Sequence, residues 1–242
     1  MNHRACTMLA SLAAVLLAGT TAVFAASPTP AVTAKAKQKI FFPNRVAALL
    51  YDQSDNDNGI GIVTQNFESS FDAYDSEGAD DFTVPAGKIW KVTEVYVDGT
   101  YFDSVGSAHS FNVAFYSFKK GMVGKLIHAC PNASYHFDTQ FDFGSEYIQC
   151  KAKLRKGHYI VAIQASLDFS VEGEWGWLTN NAIRNKPSLW RNPGGGFHVG
   201  CTDFAPTKEC ISGTEGGDYA FALYGSAKDV PPRGDRSEAR AK

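Results

Sequence analysis

Short runs of β-branched and aromatic residues, separated by Gly, Asp and Asn, dominate the chain and constrain its fold more than any other feature. Helical periodicity is absent from these runs. Alternation within 158–167 predicts one buried face and one face that is at least partly exposed. The clearest predicted strands are 89–101, 110–118, 158–167, 174–179 and 219–224. Many strands without intervening helices predict an all-β fold, either an antiparallel β-sandwich of the jelly-roll type, which we favour, or an irregular barrel.

The first 26 residues have the pattern of a secretory signal peptide. His3 and Arg4 provide a charged start, residues 8–23 are apolar, and small residues follow, with cleavage expected near Ala25 or Ala26. Ser, Gly and Thr dilute the apolar stretch, which is therefore too short and too weakly apolar for a spanning helix. We expect a secreted or periplasmic protein that does not span a membrane.

Composition divides the rest of the chain into three parts. Residues 27–45 carry Pro, Thr, Ala and Lys without apolar periodicity, which predicts a flexible linker. Residues 46–225 are long enough for one substantial core and contain no internal repeat, so we expect a single β-sandwich domain. Residues 226–242 are rich in charge and predict a disordered tail.

Four cysteines follow the signal, and an even number in an oxidising compartment indicates disulfides. Three pairings are possible. Proximity in the sequence favours Cys130 with Cys150 and Cys201 with Cys210, since each pair closes a short loop. The spacing lacks the close C-x-x-C pairs of a zinc site, so we interpret the cysteines as two structural disulfides.

Residues 46–87 contain acidic side chains and neither Lys nor Arg. Clustered carboxylates repel one another, and a Ca²⁺ ion held by loop oxygens is one way to satisfy them. The run 54–59 resembles an EF-hand loop only superficially, because Ser54 and Gln65 would take the first and twelfth ligand positions. The alternatives are an irregular calcium site and solvated, turn-forming loops. The candidate calcium ligands are Asp52, Asp55, Asp57, Asp80 and Asp81.

The acidity of the domain excludes nucleic acid as an expected partner. Phosphate recognition needs a basic face, whereas the domain carries more acidic than basic side chains and only the short ends are basic overall.

Tryptophans concentrate late in the domain, within G-E-W-G-W at 173–177 and L-W-R-N-P-G-G-G-F at 189–197. Trp175 and Trp177 point to the same side of a strand. We favour the interpretation that they fill the core, with glycines leaving room for them. The alternative is an exposed aromatic platform that binds the pyranose rings of a glycan. The candidate ligand-binding residues are Trp175, Trp177 and Trp190.

Catalytic motifs are scarce in the sequence. Neither G-x-S-x-G nor H-E-x-x-H occurs, and the histidines lack metal-ligand spacing. Glu172 with Glu174 is a conceivable carboxylate pair for glycoside cleavage, but sequence spacing does not give the distance between them. We therefore favour a non-catalytic role.

The domain resembles a group of bacterial secreted β-sandwich modules of unassigned function. The resemblance spans about 49–224 and is carried by A-D-D-F-T-V-P-A-G at 79–87, by G-E-W-G-W at 173–177 and by N-P-G-G-G-F at 192–197. Such modules are often accessory domains in longer exported proteins, so the resemblance implies a binding or accessory role. It implies no catalytic residues.

The sequence as a whole predicts an exported, non-catalytic β-sandwich module. Binding of an extracellular or envelope polysaccharide through an aromatic patch is the leading hypothesis. The first alternative is a structural or adhesion protein of the cell envelope with no small ligand, and the second is a secreted hydrolase of unrecognised type.

Overall fold

The computed structural model describes residues 27–33, 47–103, 106–137, 144–214 and 217–230. The predicted signal peptide and most of the predicted tail lie outside these ranges. The strands are β1 (Ala31–Thr33), β2 (Ala48–Asp52), β3 (Asp57–Val63), β4 (Gln65–Asn66), β5 (Glu77–Val97), β6 (Gly99–Phe102), β7 (Ser110–Lys119), β8 (Met122–Ala133), β9 (Tyr135–Phe137), β10 (Glu146–Ser166), β11 (Glu174–Asn180), β12 (Leu189–Arg191), β13 (Ala205–Pro206) and β14 (Phe221–Asp229). The helices are a 3-10 helix (Ser69–Tyr74), α1 (Phe169–Glu172) and α2 (Thr207–Cys210).

The strands form two sheets. The four-stranded sheet has the order β1-β3-β11-β6, and the ten-stranded sheet has β13-β12-β5-β10-β7-β8 as its main path. In the larger sheet β14 joins β5 and β2, while β4 and β9 pair with β10. The pairs are antiparallel apart from β4 with β10. The all-β, antiparallel prediction is confirmed, and the jelly-roll connectivity stays a prediction.

The two longest strands, β5 and β10, lie side by side in the middle of the larger sheet. They pair along almost their whole length, with two register shifts that allow so long a ladder to bend. The predicted strand 89–101 is divided at Asp98, because β5 ends in the larger sheet and β6 begins in the smaller one. This switch places Gly99 beside β11, where it pairs with Trp177.

The main core lies between the sheets. The smaller sheet contributes Ile62 of β3 and the β11 tryptophans, and the larger sheet contributes a set of aromatic side chains. These buried residues of the larger sheet include Phe82, Trp90, Phe111, Phe115 and Phe221. Burial of such large rings is the dominant favourable contribution to a fold of this kind.

A second, smaller core covers part of the outer face of the larger sheet. Ile160 and Ala162 of β10 are buried there, where Leu189 and the partly buried Phe204 pack against the same cluster. The face of 158–167 that was predicted to be at least partly exposed is therefore covered at Ile160 and Ala162. His158 and Gln164 on that face are half-buried, as expected.

The predicted boundaries of the domain need correction at both ends. Ala31–Thr33, within the predicted linker, is strand β1 and pairs antiparallel with β3. Thr29 also donates its backbone N–H to Glu174 at 2.8 Å. At the other end, β14 continues to Asp229, beyond the predicted boundary at 225, because it follows the ladder of β5 as far as Lys88.

The predicted disulfides are confirmed. Cys130 of β8 is bonded to Cys150 of β10, and Cys201 is bonded to Cys210 of α2. The first bond ties the edge strand β8 to the centre of the sheet, and the second closes the loop that carries Phe204. Within the described ranges, no helix is long and apolar enough to cross a membrane.

Substitution of Gly99 tests how tightly β6 packs on β11. A Cβ at Gly99 would overlap the Trp175 indole. Because overpacking in a dense core typically costs 1–3 kcal/mol, we expect Gly99→Ala to lower the free energy of unfolding by about 2 kcal/mol in urea denaturation. Gly157→Ala is the matched strand control. Its Cβ would come no closer than 3.1 Å to the Tyr159 ring, whereas a Cβ at Gly99 would lie 2.4 Å from the Trp175 ring, so we expect a smaller loss at Gly157. Equal losses in the two variants would contradict this packing.

Candidate functional site

The three candidate tryptophans are fully buried. Trp175, Trp177 and Trp190 are each 0% exposed. Each indole N–H donates a 2.8 Å hydrogen bond to a backbone carbonyl inside the protein. The core interpretation is confirmed, and the alternative of an exposed glycan platform at these residues is wrong.

The physical reason is the position of β11 in the centre of the smaller sheet. Trp177 stacks on Tyr219, with ring centroids 4.4 Å apart, and the Trp175 ring meets Phe111 edge-on at 5.1 Å. Gly176, between them, is also buried, and a Cβ there would lie 2.8 Å from the Phe102 ring. Alternate side chains of β11 therefore face protein on both sides of the sheet, and neither face is left for a ligand.

The candidate calcium ligands in the loop before β3 are used by protein donors. Asp52 Oδ1 accepts hydrogen bonds from the backbone N–H and hydroxyl of Ser54, as in an Asx turn. Asp57 Oδ1 accepts from the N–H of Gly59. Asp55 forms an ion pair with Arg184 at 2.5 Å. Turn formation and ion pairing thus account for these three carboxylates.

The other two candidate calcium ligands, Asp80 and Asp81 of β5, are buried. Asp80 is held by Gln53 Nε2 at 2.9 Å and by the N–H of Tyr219 at 2.5 Å. Asp81 pairs with His158 and accepts a hydrogen bond from the N–H of Lys186. Their donors again come from the protein.

Among the residues that the structure describes, two groups of at least three potential metal-ligating side chains come within 4.8 Å of one another. One contains His128 with the two cysteines of a disulfide, whose sulfurs are already bonded to each other. The other contains His109, Asp168 and Glu172. Neither includes any of the five aspartates, so these do not assemble into the predicted calcium site.

Asp80 and Asp218 instead form a buried carboxyl cluster with Asp81. Burial, with the charge of Asp218 adding to it, raises the pKa of Asp80 well above its ordinary value. Burial and the nearby charge of Asp81 raise the pKa of Asp218 to about 7. Asp218 Oδ2 accepts a hydrogen bond from the N–H of Arg184, whereas its buried Oδ1 has no hydrogen-bond partner among the described residues. Through the hydrogen bonds of Asp80, the cluster connects β5 to the residue that follows β2 and to the segment before β14. We therefore interpret its role as structural.

A cleft of about 420 Å³ opens on the outer face of the larger sheet. It lies between the turn that joins β7 to β8 and the loop that leads into β13. The partly exposed rings of Tyr116 and Phe204 line it, together with Arg191 and the exposed Asp203. The remaining lining residues are Gly121, Met122, Val123, Gly124 and Leu189.

The polar and aromatic groups of the cleft hold one another in place. The Arg191 guanidinium lies over the Phe204 ring at 4.3 Å, and its Nε donates to Glu77 at 2.7 Å. The Tyr116 ring meets Phe204 edge-on at 6.3 Å. Burial, and then the negative charge of Glu77, raise the pKa of Tyr116. A tyrosine phenol is protonated at neutral pH even without such a shift, so it can donate a hydrogen bond to a ligand.

The N-P-G-G-G-F run at 192–197 packs against the end of the 3-10 helix. Asn192 donates from Nδ2 to the carbonyls of Ala73 and Asp75, at 2.7 and 2.8 Å. Gly194 and Gly196 lie so close to Ala73 that a Cβ on either would come within 2.7 Å of its backbone. The run is therefore a packing motif.

Sequence reasoning missed the cleft residues. Arg191 lies inside a run that the sequence singles out, but Tyr116, Asp203 and Phe204 come from separate segments that only folding brings together. A partial signal was the Cys201–Cys210 pair, since the short loop that it closes holds both Asp203 and Phe204.

Comparison with known proteins adds no family assignment. No protein-family model matches the chain, and searches of curated proteins and of solved structures likewise find no match.

The buried carboxyls predict that stability falls as the pH rises. A carboxyl whose pKa is higher in the folded than in the unfolded state binds more protons when folded, so its contribution is fully present below about pH 4 and is lost as the pH passes its folded value. For Asp218 that value is about 7, and Glu174, raised to about 8 by burial, acts in the same direction. We therefore expect the urea concentration at the midpoint of unfolding to decrease as the pH rises from 5 to 8.

Asp218→Asn removes one of these ionisable groups. The urea midpoint of this variant should therefore decrease less than that of the wild type between pH 5 and pH 8. Asp203→Asn, at an exposed position, should keep the wild-type dependence. A steeper or unchanged dependence in Asp218→Asn would contradict the assignment.

Proposed function

We propose that this protein is an exported, non-catalytic module that binds a saccharide in the cleft lined by Tyr116, Arg191, Asp203 and Phe204. The observation that carries the proposal is the combination, in one cleft, of partly exposed aromatic rings with an arginine and an aspartate. Apolar ring faces suit the C–H faces of a pyranose, and the charged groups offer donors and acceptors to its hydroxyls. This assigns the predicted aromatic patch to residues other than the tryptophans.

The size and position of the cleft support this ligand class. Its volume of about 420 Å³ falls within the usual range of small-molecule sites. Met122 and Asp203 at its edge are exposed, so one or two units of a longer polymer can enter without the chain end being enclosed.

A non-catalytic role fits the charges of the cleft. Glycoside cleavage uses two carboxyl groups that flank the scissile bond. The described lining holds one carboxylate, Asp203, and the neighbouring Glu77 is already paired with Arg191.

Export is supported by the signal-peptide pattern and by the two disulfides, which persist in oxidising compartments. Membership of the secreted β-sandwich group named above stays a prediction, and the same holds for the periplasmic or extracellular destination.

Depletion from solution by insoluble polymers tests the proposal. The purified chain, with both disulfides formed, is incubated with cellulose, chitin, xylan and peptidoglycan, and the free protein is measured. We expect selective depletion by at least one of them. Phe204→Ala should weaken binding to that polymer at least tenfold, or about 1.4 kcal/mol. The substitution removes the ring that would stack on the sugar and also the ring on which the Arg191 guanidinium packs. Asp203→Ala, at an exposed position, should weaken the same binding several-fold with little effect on folding.

The matched control is Phe137→Ala, which removes an exposed phenyl ring from β9, outside the cleft. Its depletion should equal that of the wild type. Depletion by none of the polymers would overturn saccharide binding and favour the structural alternative, for which the apolar side chains exposed on the edge strand β8 would be the relevant surface. These are Met122, Leu126 and Ile127.

A further inference from the structure

His109, Asp168 and Glu172 meet at the opposite end of β7 from the cleft. His109 directly precedes β7, and its backbone N–H donates to the carbonyl of Ser166, at the end of β10, at 2.7 Å. Asp168 precedes the short helix α1 that follows β10, and Glu172 is the last residue of that helix. Since β7 has ten residues, about 30 Å of strand separates the two places. A ligand here would be independent of saccharide binding.

The three side chains present one nitrogen and two carboxylate groups to a single point. Their ligand atoms lie within 4.8 Å of one another, and His109 Nε2 is 2.8 Å from Glu172 Oε1. The His109 side chain is 56% exposed and that of Glu172 is 20% exposed. A cation from solution can therefore reach the group.

The Glu172 carboxylate is oriented by the backbone at the start of α1. Glu172 uses Oε2 to accept a hydrogen bond from the Asp168 N–H at 2.8 Å, which directs Oε1 to His109. Asp168 occupies the position at which an aspartate ordinarily caps a helix, yet its side chain makes no capping hydrogen bond. Its carboxylate accepts no hydrogen bond from the residues that the structure describes, and it stays directed at the other two side chains.

We propose that His109, Asp168 and Glu172 bind a first-row divalent transition metal ion, with Zn²⁺ as the best match. Imidazole nitrogen together with carboxylate oxygen suits Zn²⁺, whereas Ca²⁺ and Mg²⁺ prefer oxygen ligands throughout. Three protein ligands leave a fourth, open position for water or a partner group. Bonds of about 2.1 Å place tetrahedral ligand atoms about 3.4 Å apart, so the His109 to Glu172 contact needs to open by roughly half an ångström. The positive ion would also offset the repulsion between the two carboxylates.

Isothermal titration calorimetry of the untagged full-length protein, stripped with EDTA and then freed of it, tests the site with ZnCl₂ as the probe. We expect one Zn²⁺ per chain, with a dissociation constant in the micromolar range or below. His109→Ala and Glu172→Gln should each weaken binding at least tenfold. Ca²⁺ should bind much more weakly than Zn²⁺.

The matched control is His136→Ala. His136 is also 56% exposed and faces the Glu94 carboxylate at 3.8 Å, but among the described residues it does not belong to a group of three ligands. Its loss should leave Zn²⁺ binding unchanged, and circular dichroism should show that all variants remain folded. Absorption of bound Co²⁺ in the visible range provides a second readout, which His109→Ala should abolish. Absence of Zn²⁺ binding, binding unaffected in His109→Ala, or equal affinity for Ca²⁺ would overturn the assignment.

Discussion

The β11 indoles, packed between the two sheets, determine how closely the neighbouring strands and rings can approach. Trp175 and Trp177 fill the space where the sheets meet, and each satisfies its N–H on a backbone carbonyl. This arrangement requires a glycine at the start of β6, and it places β6 in the smaller sheet directly after β5 ends in the larger one. The glycine at position 99 follows from the size of the Trp175 side chain, which leaves no room for a Cβ there. The described cleft lies away from these indoles, on the outer face of the larger sheet.

Acidic side chains have three different roles in this fold. In the loop before β3 they shape turns and pair with Arg184. On β5 and before β14 they are buried among backbone donors, where desolvation raises the pKa values of Asp80 and Asp218. In the group with His109, two carboxylates lie together near solvent. The same residue type is therefore structural in two environments and suited to a metal ion in the third.

Local patterns predicted much of the fold, and long-range contacts account for what they missed. Strands such as 110–118 and 174–179 follow from alternation, and the disulfides follow from proximity. β1 has three residues and exists because β3 offers it an edge, so no pattern in its own sequence marks it. The five aspartates proposed as calcium ligands do not come together in the described residues, and counting aspartates does not reveal which protein donors satisfy each of them. Neither the cleft nor the His109 group could be predicted, since each joins residues distant in sequence.

Burial of all four tryptophans is the reason why the cleft, and not the indoles, is proposed as the ligand site. Tryptophan fluorescence of the native protein, with acrylamide as a quencher, tests it most directly, because all four tryptophans are buried, Trp90 being 5% exposed and the other three 0%. The structure predicts emission shifted well to the blue of free tryptophan and weak quenching, both lost on unfolding in guanidinium chloride. Emission and quenching close to those of free tryptophan in the native protein would show that the indoles are exposed and would rule out this packing.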